Sequence, residues 1–246
     1  MRYLILSDIH ANWEALDAVL DDATGRYEAI LCLGDLVGYG ADPNRVTDWI
    51  RANAKVTIRG NHDRVCTSAE SLEAFNPIAA QAASWTQNAL TPENREWLRT
   101  LPRGPLPENG FDLVHGAPLD EDRYLVGLDD VLAEMDYLST RLTFFGHTHV
   151  QGGFEIKRRQ VRRVPKISVT SEEGVLEFDA DALYLINPGS VGQPRDRDHR
   201  AAYALYDPAE RWVTYRRVEY DIAEAQRKIR DAKLPDLLAD RLARGF

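Results

Sequence analysis

The sequence has few features of a secreted, membrane-spanning or nucleic-acid-binding protein. Its two cysteines, Cys32 and Cys66, are far apart and in no C-x-x-C spacing, so neither a disulfide scaffold nor a thiolate zinc cluster is expected. No apolar run reaches the length of a transmembrane helix, and we expect no signal peptide because the N-terminus enters a strand-like run directly. These absences fit a reducing cytoplasm.

Excess positive charge is also absent. The formal net charge is -9, which disfavours binding to nucleic acid or to a membrane surface through bulk electrostatics. Internal repeats and low-complexity linkers are absent as well, so we expect one domain over residues 1–246. This length is ample for a substantial hydrophobic core.

The first third of the chain alternates short apolar runs with amphipathic segments. We predict strands at Arg2–Leu6, Ala29–Leu33 and Lys55–Ile58, a helix at Asn12–Asp22, and a second helix that begins at Pro43. Strand, loop and helix in this order indicate a parallel α/β sheet. Ligands of such sheets bind outside the carboxyl ends of the strands.

Residues 66–107 differ from the repeating pattern and predict a helical insertion. Proline and the N-cap residue Thr91 indicate helices at Pro77–Leu90 and Pro92–Leu101. This insertion either shapes one wall of a site or simply packs against the rest of the domain.

The strand pattern returns in the second half of the chain. Apolar strands are predicted at Phe111–Val114 and Leu142–Phe145, with a helix at Asp129–Tyr137 between them. Residues 152–218 alternate in polarity and predict antiparallel strands of a second sheet. Helices are expected at Asp221–Ala232 and near Pro235.

Most of the six histidines stand with acidic and amide side chains where the apolar strands end. We expect a single sheet to bring these ends to one edge. The donors are oxygen and nitrogen without thiolate, which suits Mn, Fe, Zn or Ni better than Mg²⁺ or Ca²⁺. Their number suits two ions that share a carboxylate. The residues at the strand ends are Asp8, His10, Asp35, Asn61, His62, Asp63, His115, His147 and His149.

Five motifs carry these residues in a recognisable order. They resemble the motifs of the calcineurin-like metallophosphoesterases, and five in order are far more specific than any one alone. The resemblance implies an α/β fold, a four-layer αββα sandwich of two mixed sheets flanked by helices, as in metallo-dependent phosphatases. The motifs are Asp8-Ile9-His10, Gly34-Asp35, Gly60-Asn61-His62-Asp63, His115 and Gly146-His147-Thr148-His149.

The resemblance also implies a role for each position. One metal ion would be held by Asp8, His10, Asp35 and His149, and a second by Asp35, Asn61, His115 and His147. Asp35 would bridge the two divalent or trivalent ions, and a hydroxide between them would attack a phosphoester. His62 would protonate the leaving group, and Asp63 would orient the His62 ring.

Tyr39 bears on the substrate. It stands after Gly34-Asp35, where protein phosphatases and symmetrical dinucleoside tetraphosphate hydrolases usually carry an arginine. The chain therefore resembles the small bacterial-type phosphodiesterases, with a small phosphoester as substrate. The alternatives are a phosphomonoesterase, a nucleotide or dinucleotide polyphosphate hydrolase and, less favoured, a non-catalytic scaffold of the same fold. A homo-oligomer stays open.

Four further positions are candidates for substrate contacts. Arg59 either faces phosphate or is a solvated strand-end residue, and Asn12 either reaches the site or caps a helix. Ser190 and Arg195 lie in a glycine-containing loop that either contacts substrate or is a tight turn.

Three other features have open or ordinary interpretations. Tyr124 either borders the site or packs. His199 is expected to be a solvated loop residue, and the basic run at 157–163 is expected to be a solvated hairpin.

Overall fold

The computed structural model of the chain describes residues 1–68, 72, 75–164 and 171–246. Within these ranges the strands are β1 Tyr3–Leu6, β2 Ala29–Cys32, β3 Val56–Thr57, β4 Leu106–Glu108, β5 Phe111–Leu113, β6 Leu142–Phe144, β7 Gly152–Lys157, β8 Gln160–Arg163, β9 Glu173–Glu177, β10 Leu183–Asn187, β11 Ala201–Asp207 and β12 Trp212–Val218. The α-helices are α1 Trp13–Ala23, α2 Pro43–Asn53, α3 Asn61–Thr67, α4 Pro77–Ala89, α5 Pro92–Thr100, α6 Leu128–Glu134, α7 Ile222–Asp231 and α8 Asp236–Leu242. A short 3-10 helix at Met135–Tyr137 extends α6.

The strands form two mixed sheets of six. The first sheet has the order β3-β2-β1-β11-β12-β9, and the second has the order β4-β5-β6-β10-β7-β8. Strands β1, β2 and β3 are parallel, whereas β11 pairs antiparallel with β1. In the second sheet β5, β6 and β10 are parallel. Strand β4 pairs antiparallel with β5 on one side of these three strands, and β7 pairs antiparallel with β10 on the other side.

The hydrophobic core lies between the two sheets and continues on both outer faces. Between the sheets, Tyr3 and Ile5 of β1 pack with Phe144 of β6. On the outer face of the first sheet, Leu4 and Leu6 pack against α1 and α2. The outer face of the second sheet is covered by α6, through Val131. Helix, sheet, sheet and helix therefore form four layers, and the expected αββα sandwich is confirmed.

Local sequence signals account for where the helices begin. Pro43, Pro77 and Pro92 each occupy a first helical position, where a missing N–H costs nothing. The Thr91 side chain accepts a hydrogen bond from the Asn94 N–H at 3.2 Å. The Asp221 side chain does the same for the Glu224 N–H at 2.9 Å.

One element was missed and one expectation about the sheets was wrong. Helix α3 was not predicted, because its seven residues lack the apolar periodicity of a longer helix. The antiparallel strands do not form a sheet of their own. Instead, β7, β8 and β10 extend the second sheet, and β9, β11 and β12 extend the first.

The predicted insertion at 66–107 contains α4, α5 and the start of β4, and part of it lies outside the described residues. The assignment of a single domain stays a prediction. None of the helices in the described ranges combines the length and the apolar character needed to cross a bilayer.

Candidate metal centre

The polar strand ends come from both sheets and meet where the sheets lie against each other. The ends of β1, β2 and β3 belong to the first sheet, whereas β5 and β6 belong to the second. The expectation of one sheet edge was therefore wrong. At the centre, hydrogen bonds join strand ends of the two sheets: the His147 N–H donates to the Asp8 carboxylate at 3.1 Å, and His115 Nδ1 donates to the Leu33 carbonyl at 2.8 Å.

Two clusters of possible ligands share one carboxylate. In each cluster the potential ligand atoms lie within 4.8 Å of one another, and every side chain is buried. Asp35 belongs to both clusters. Asn61 joins the second cluster, because its Oδ1 lies 3.2 Å from His115 Nε2. The first cluster is Asp8, His10, Asp35 and His149, and the second is Asp35, His115 and His147.

The rings of His10 and His149 present lone pairs to each other. His10 Nδ1 donates to the Val37 carbonyl at 3.0 Å, and His149 Nδ1 donates to the Gln193 carbonyl at 2.6 Å. Burial lowers the pKa of both rings well below the usual value, so neither carries a second proton. Their Nε2 atoms are nevertheless 3.1 Å apart. Two lone pairs at this distance repel, and a cation between them would remove the repulsion.

Asp35 and His115 form a buried pair. His115 Nε2 lies 3.4 Å from Asp35 Oδ2. Burial opposes charge on both groups, but the Asp35 carboxylate raises the pKa of His115 to about 10. In turn, burial raises the pKa of Asp35, but the combined interactions with His115, His62 and His10 outweigh it and hold the pKa of Asp35 well below its usual value. A proton thus occupies a position where a metal ion would replace it, because metal ligands bind in their deprotonated form.

The remaining carboxylate of the centre, that of Asp8, would be stabilised by a cation. Burial raises the pKa of Asp8 to about 7, and the neighbouring Asp35 also raises it, against the opposing charge of His115. A divalent ion beside the two acids would favour their ionised forms. The charges and lone pairs of this centre therefore fit metal ions.

His147 is oriented differently from the other imidazoles. Its Nε2 donates to the Asp122 carbonyl at 3.1 Å, which leaves Nδ1 as the atom available to a metal. Its ring stacks on Tyr124 at a centroid distance of 3.9 Å. Burial lowers the pKa of His147 to about 3, so the ring is neutral near pH 7.

Several of the candidate ligands adopt a backbone conformation that is uncommon outside glycine. Such φ values cluster at functional sites, where surrounding contacts hold the strained residue in place. The positive φ angles are 53° at Asp8, 49° at His10, 54° at Asp35, 65° at His147 and 58° at His149.

Gly60 allows Asp35 to approach closely. A Cβ at Gly60 would lie 2.0 Å from Asp35 Oδ1, well inside van der Waals contact. The motif therefore needs glycine here to place the shared carboxylate.

Asp63 does not orient the His62 ring, and that expectation is corrected. The Asp63 carboxylate accepts hydrogen bonds from the backbone N–H groups of Asp35, Leu36 and Gly60 at 2.8–2.9 Å. A fourth N–H, that of Val37, lies at 3.3 Å. The carboxylate accepts the hydrogen bonds of the loop after β2. Asp63 therefore positions Asp35 and not the imidazole of His62.

His62 lies beside the clusters and outside both of them. Its Nδ1 is buried and has no hydrogen-bond partner among the described residues. The ring packs against Tyr39 at 4.5 Å and Phe75 at 5.1 Å. Burial lowers its pKa to about 4. The imidazole is therefore neutral, and a polar atom is available for a ligand.

Two residues that the sequence left open between a substrate contact and a structural role have structural partners. Asn12 caps α1 by accepting the Ala15 N–H at 3.2 Å, and its amide donates to the Gly192 carbonyl at 2.8 Å. Ser190 Oγ donates to the Asp8 carbonyl at 2.7 Å and is buried. Ser190 therefore supports the strained backbone of Asp8.

Arg59 forms an ion pair within the protein, which matches neither of its two expected roles. Its guanidinium binds both oxygens of the buried Glu121, at 3.0 and 3.1 Å. This bidentate ion pair occupies the side chain, so its proposed contact with substrate is not supported. Arg195, in contrast, extends beside the centre, with its guanidinium carbon 5.7 Å from the Tyr39 ring centroid.

A cleft of about 270 Å³ opens in front of the clusters. Tyr39, Phe75, Arg64 and Tyr124 line it together with His62. Besides His62, the sequence drew attention to two of these wall residues. Tyr124 was expected either to border the site or to pack, and Tyr39 was noted because related phosphatases usually carry an arginine at its position. Adjacency to the Gly-Asn-His-Asp motif was a signal for Arg64, whereas Phe75 gave none.

Two secondary expectations agree with the structure. His199 is exposed and contacts Glu219 at 3.0 Å, away from both clusters. The basic run lies in the β7–β8 hairpin, where Arg159 pairs with Asp136 at 3.0 Å.

The sequence is similar to that of a known protein family. Residues 1–211 match the model of the calcineurin-like phosphoesterase superfamily domain. An uncharacterized protein of Methanocaldococcus jannaschii, MJ0912, is 38% identical over 250 residues, which cover 98% of this chain and 97% of that protein.

Two solved structures are also similar to this chain. A metallophosphoesterase from Sphaerobacter thermophilus is 38% identical, with a TM-score of 0.86, and the match covers 100% of this chain and 99% of that one. The hypothetical protein PH1004 from Pyrococcus horikoshii is 21% identical, with a TM-score of 0.79 and coverage of 100% and 98%, and shares the fold. With its αββα sandwich and its paired Asp and His clusters, the chain belongs to the calcineurin-like phosphoesterase superfamily.

Proposed function

We propose that this protein hydrolyses a phosphodiester with two metal ions bound at the paired clusters. The observation that carries the proposal is the sharing of Asp35 between two buried groups of potential ligands. Asp8, His10, Asp35 and His149 would hold one ion, and Asp35, Asn61, His115 and His147 would hold the other. When bound, such ions supply Lewis-acid activation of a water molecule and neutralise phosphate charge.

His62 is the residue proposed to assist the leaving group. It lines the cleft beside Asn61 and His147, and its Nδ1 has no partner within the described part of the chain. An anionic phosphate next to this ring would favour the protonated imidazole. The ring could then give its proton to the departing oxygen as the phosphorus–oxygen bond breaks.

The walls of the cleft support a diester over a monoester. Three aromatic side chains, Tyr39, Phe75 and Tyr124, provide apolar surface for organic groups on a phosphate. The one cation among the described residues that line the cleft, Arg64, is already paired with Asp122 at 2.8 Å. Among these lining residues, no further cation faces the second negative charge that a monoester would bring.

Metal content and turnover test the proposal together. The protein should bind about two Mn²⁺ per chain after chelator treatment and dialysis, and should hydrolyse bis-4-nitrophenyl phosphate faster than 4-nitrophenyl phosphate. Faster turnover of the monoester would instead identify a phosphomonoesterase. Absence of both metal binding and turnover would contradict the enzymatic proposal and favour a scaffold.

Separate alanine substitutions at two adjacent residues, Asn61 and His62, distinguish their proposed roles. We expect His62→Ala to lower kcat roughly 10²- to 10⁴-fold on a diester with an alkoxide leaving group, the usual range for a lost general acid, and far less on bis-4-nitrophenyl phosphate, whose leaving group needs no proton, with metal content retained. Asn61→Ala should lower metal content. His199→Ala, at an exposed histidine paired with Glu219, is the matched control. Equal metal loss in the His62 and Asn61 variants would contradict the role given to His62.

A further inference from the structure

An apolar pocket adjoins the cleft on the side of His147. Its space of about 110 Å³ is lined in part by Leu125, Phe145 and Phe154, which are buried in one hydrophobic cluster. Val126 also lines it and is 56% exposed, so this side chain lies where the pocket meets solvent. An engineered apolar cavity of about 150 Å³ in another protein binds benzene. The pocket is therefore on the scale of one aromatic ring.

Two segments of the chain line both the cleft and the pocket. From residues 122–126 and 147–151, Asp122 and His147 face the cleft, whereas Leu125 and Thr148 face the pocket. Tyr124 lines both spaces, and its ring stacks on the His147 ring at a centroid distance of 3.9 Å. Because His147 belongs to the second ligand cluster, a group on a phosphate bound there can extend past Tyr124 into the pocket.

The charges around the pocket favour an uncharged occupant. Among the described residues that line it, none is acidic and one, Arg163, is a cation. The Arg163 guanidinium donates to the Val126 carbonyl at 2.5 Å, and its carbon lies 5.3 Å from the Phe154 ring centroid. This charge is thus held against the protein, and most of the remaining lining is apolar. Such a lining suits an apolar or aromatic group.

The two organic groups of a diester would meet different walls of the cleft. His62, the proposed proton donor to the leaving group, packs against Tyr39 and Phe75. None of these three residues lines the apolar pocket. The leaving group therefore belongs on the wall of His62, and the group that stays on the phosphate belongs on the wall of Tyr124.

We propose that this pocket binds an uncharged aromatic ring on the organic group that stays on the phosphate. The inference rests on the proposed hydrolysis and names its class of substrate, a phosphodiester whose retained group carries such a ring. Tyr124 and Val126 are then determinants of specificity, and neither takes part in the chemical step.

A matched pair of substrates tests the pocket. The 2-phenylethyl and ethyl esters of 4-nitrophenyl phosphate release the same 4-nitrophenolate, and both retained groups attach through a CH₂, so the ring is the main difference. We expect kcat/KM to be higher for the 2-phenylethyl ester by on the order of tenfold, mainly through a lower KM, because the ring leaves water on binding. Equal kcat/KM for both esters would overturn the pocket while leaving the proposed hydrolysis intact.

Variants assign the preference to the pocket. In Val126→Asp, which places a charge where the ring would bind, the ratio of the two kcat/KM values should fall towards one. Val126→Leu should keep the ratio. Leu132→Asp is the control, because Leu132 is an exposed apolar residue of α6 that does not line the pocket. A ratio that is unchanged in Val126→Asp would contradict the assignment.

Binding of the products separates the pocket from catalysis. Calorimetry with Mn²⁺ present should show 2-phenylethyl phosphate binding at least several-fold tighter than ethyl phosphate, and Val126→Asp should lose this difference. If neither diester is turned over but the difference in binding is present, the proposed hydrolysis fails and the pocket stands. Equal binding of the two monoesters would overturn the pocket.

Discussion

At the scale of single residues, the clustering of the candidate ligands could be predicted from the sequence, but their conformations could not. Polar residues after apolar strands converge by the geometry of α/β folds, so Asp8 and His10 were identified from the sequence. Their positive φ angles depend on hydrogen bonds to a distant loop. The His10 N–H donates to the Asp35 carbonyl at 2.9 Å, and the Asp8 N–H donates to the Gly34 carbonyl at 3.1 Å. Local sequence does not encode such partners.

Asp63 shows how resemblance alone can misassign a residue. Its position next to His62 favoured a role in orienting that ring, whereas its carboxylate binds four backbone N–H groups. An ionised carboxylate only accepts hydrogen bonds, so it satisfies all four donors. An amide at this position would offer one oxygen and present its own N–H₂ to the remaining donors.

We expect Asp63→Asn to destabilise the loop that carries Asp35. Leaving buried N–H groups without a partner costs about 1–3 kcal/mol, so thermal stability and metal content should fall together. Thermal unfolding in chelator and metal analysis after reconstitution measure the two effects. Asp129→Asn, at an exposed acid in the first turn of α6, is the control. A loss of kcat with stability and metal content unchanged would restore the catalytic role.

At the scale of elements, local chemistry predicted helix starts better than strand pairing. Pro43, Pro77 and Pro92 marked helix starts because proline is tolerated at a first helical position. The division of strands between two sheets is set by non-local pairing. For example, β11 pairs with β1 about two hundred residues earlier in the chain, at Leu205 and Leu4. Alternating polarity identifies a strand without naming its neighbour.

Helix α8 offers a test of how the end of the chain supports the site. Leu238 is 0% exposed and packs in the same cluster as Tyr39, whereas the adjacent Leu237 is 53% exposed. We expect Leu238→Ala to lower the free energy of unfolding by about 2–5 kcal/mol, because it removes buried methyl groups and leaves a cavity. Leu237→Ala should change it by about 0.5 kcal/mol or less. Chemical denaturation measures both, and equal losses would show that α8 is not anchored by Leu238.

At the scale of the whole molecule, the sandwich brings together groups that are unfavourable without a cation. Strand ends from two sheets place the lone pairs of His10 and His149 3.1 Å apart. Burial also raises the pKa of Asp8 to about 7, which reflects the cost of a buried negative charge. The order of the five motifs predicted that these groups would meet. How closely these groups pack depends on the contact between the two sheets, which the order of the motifs does not specify.

Metal removal should therefore weaken the whole fold. Ions that bind the native state but not the unfolded chain stabilise it by about 2.7 kcal/mol per site at a hundred times Kd, equivalent to roughly 5–10 °C for a chain of this size. We expect chelated protein to unfold at a temperature lower by about this amount for each ion lost, and Mn²⁺ to restore it. Asp35→Asn, which alters the carboxylate shared by both clusters, should lose most of the response, whereas His199→Asn should keep it. Identical unfolding temperatures with and without Mn²⁺ in the unaltered protein would contradict a metal centre at these residues.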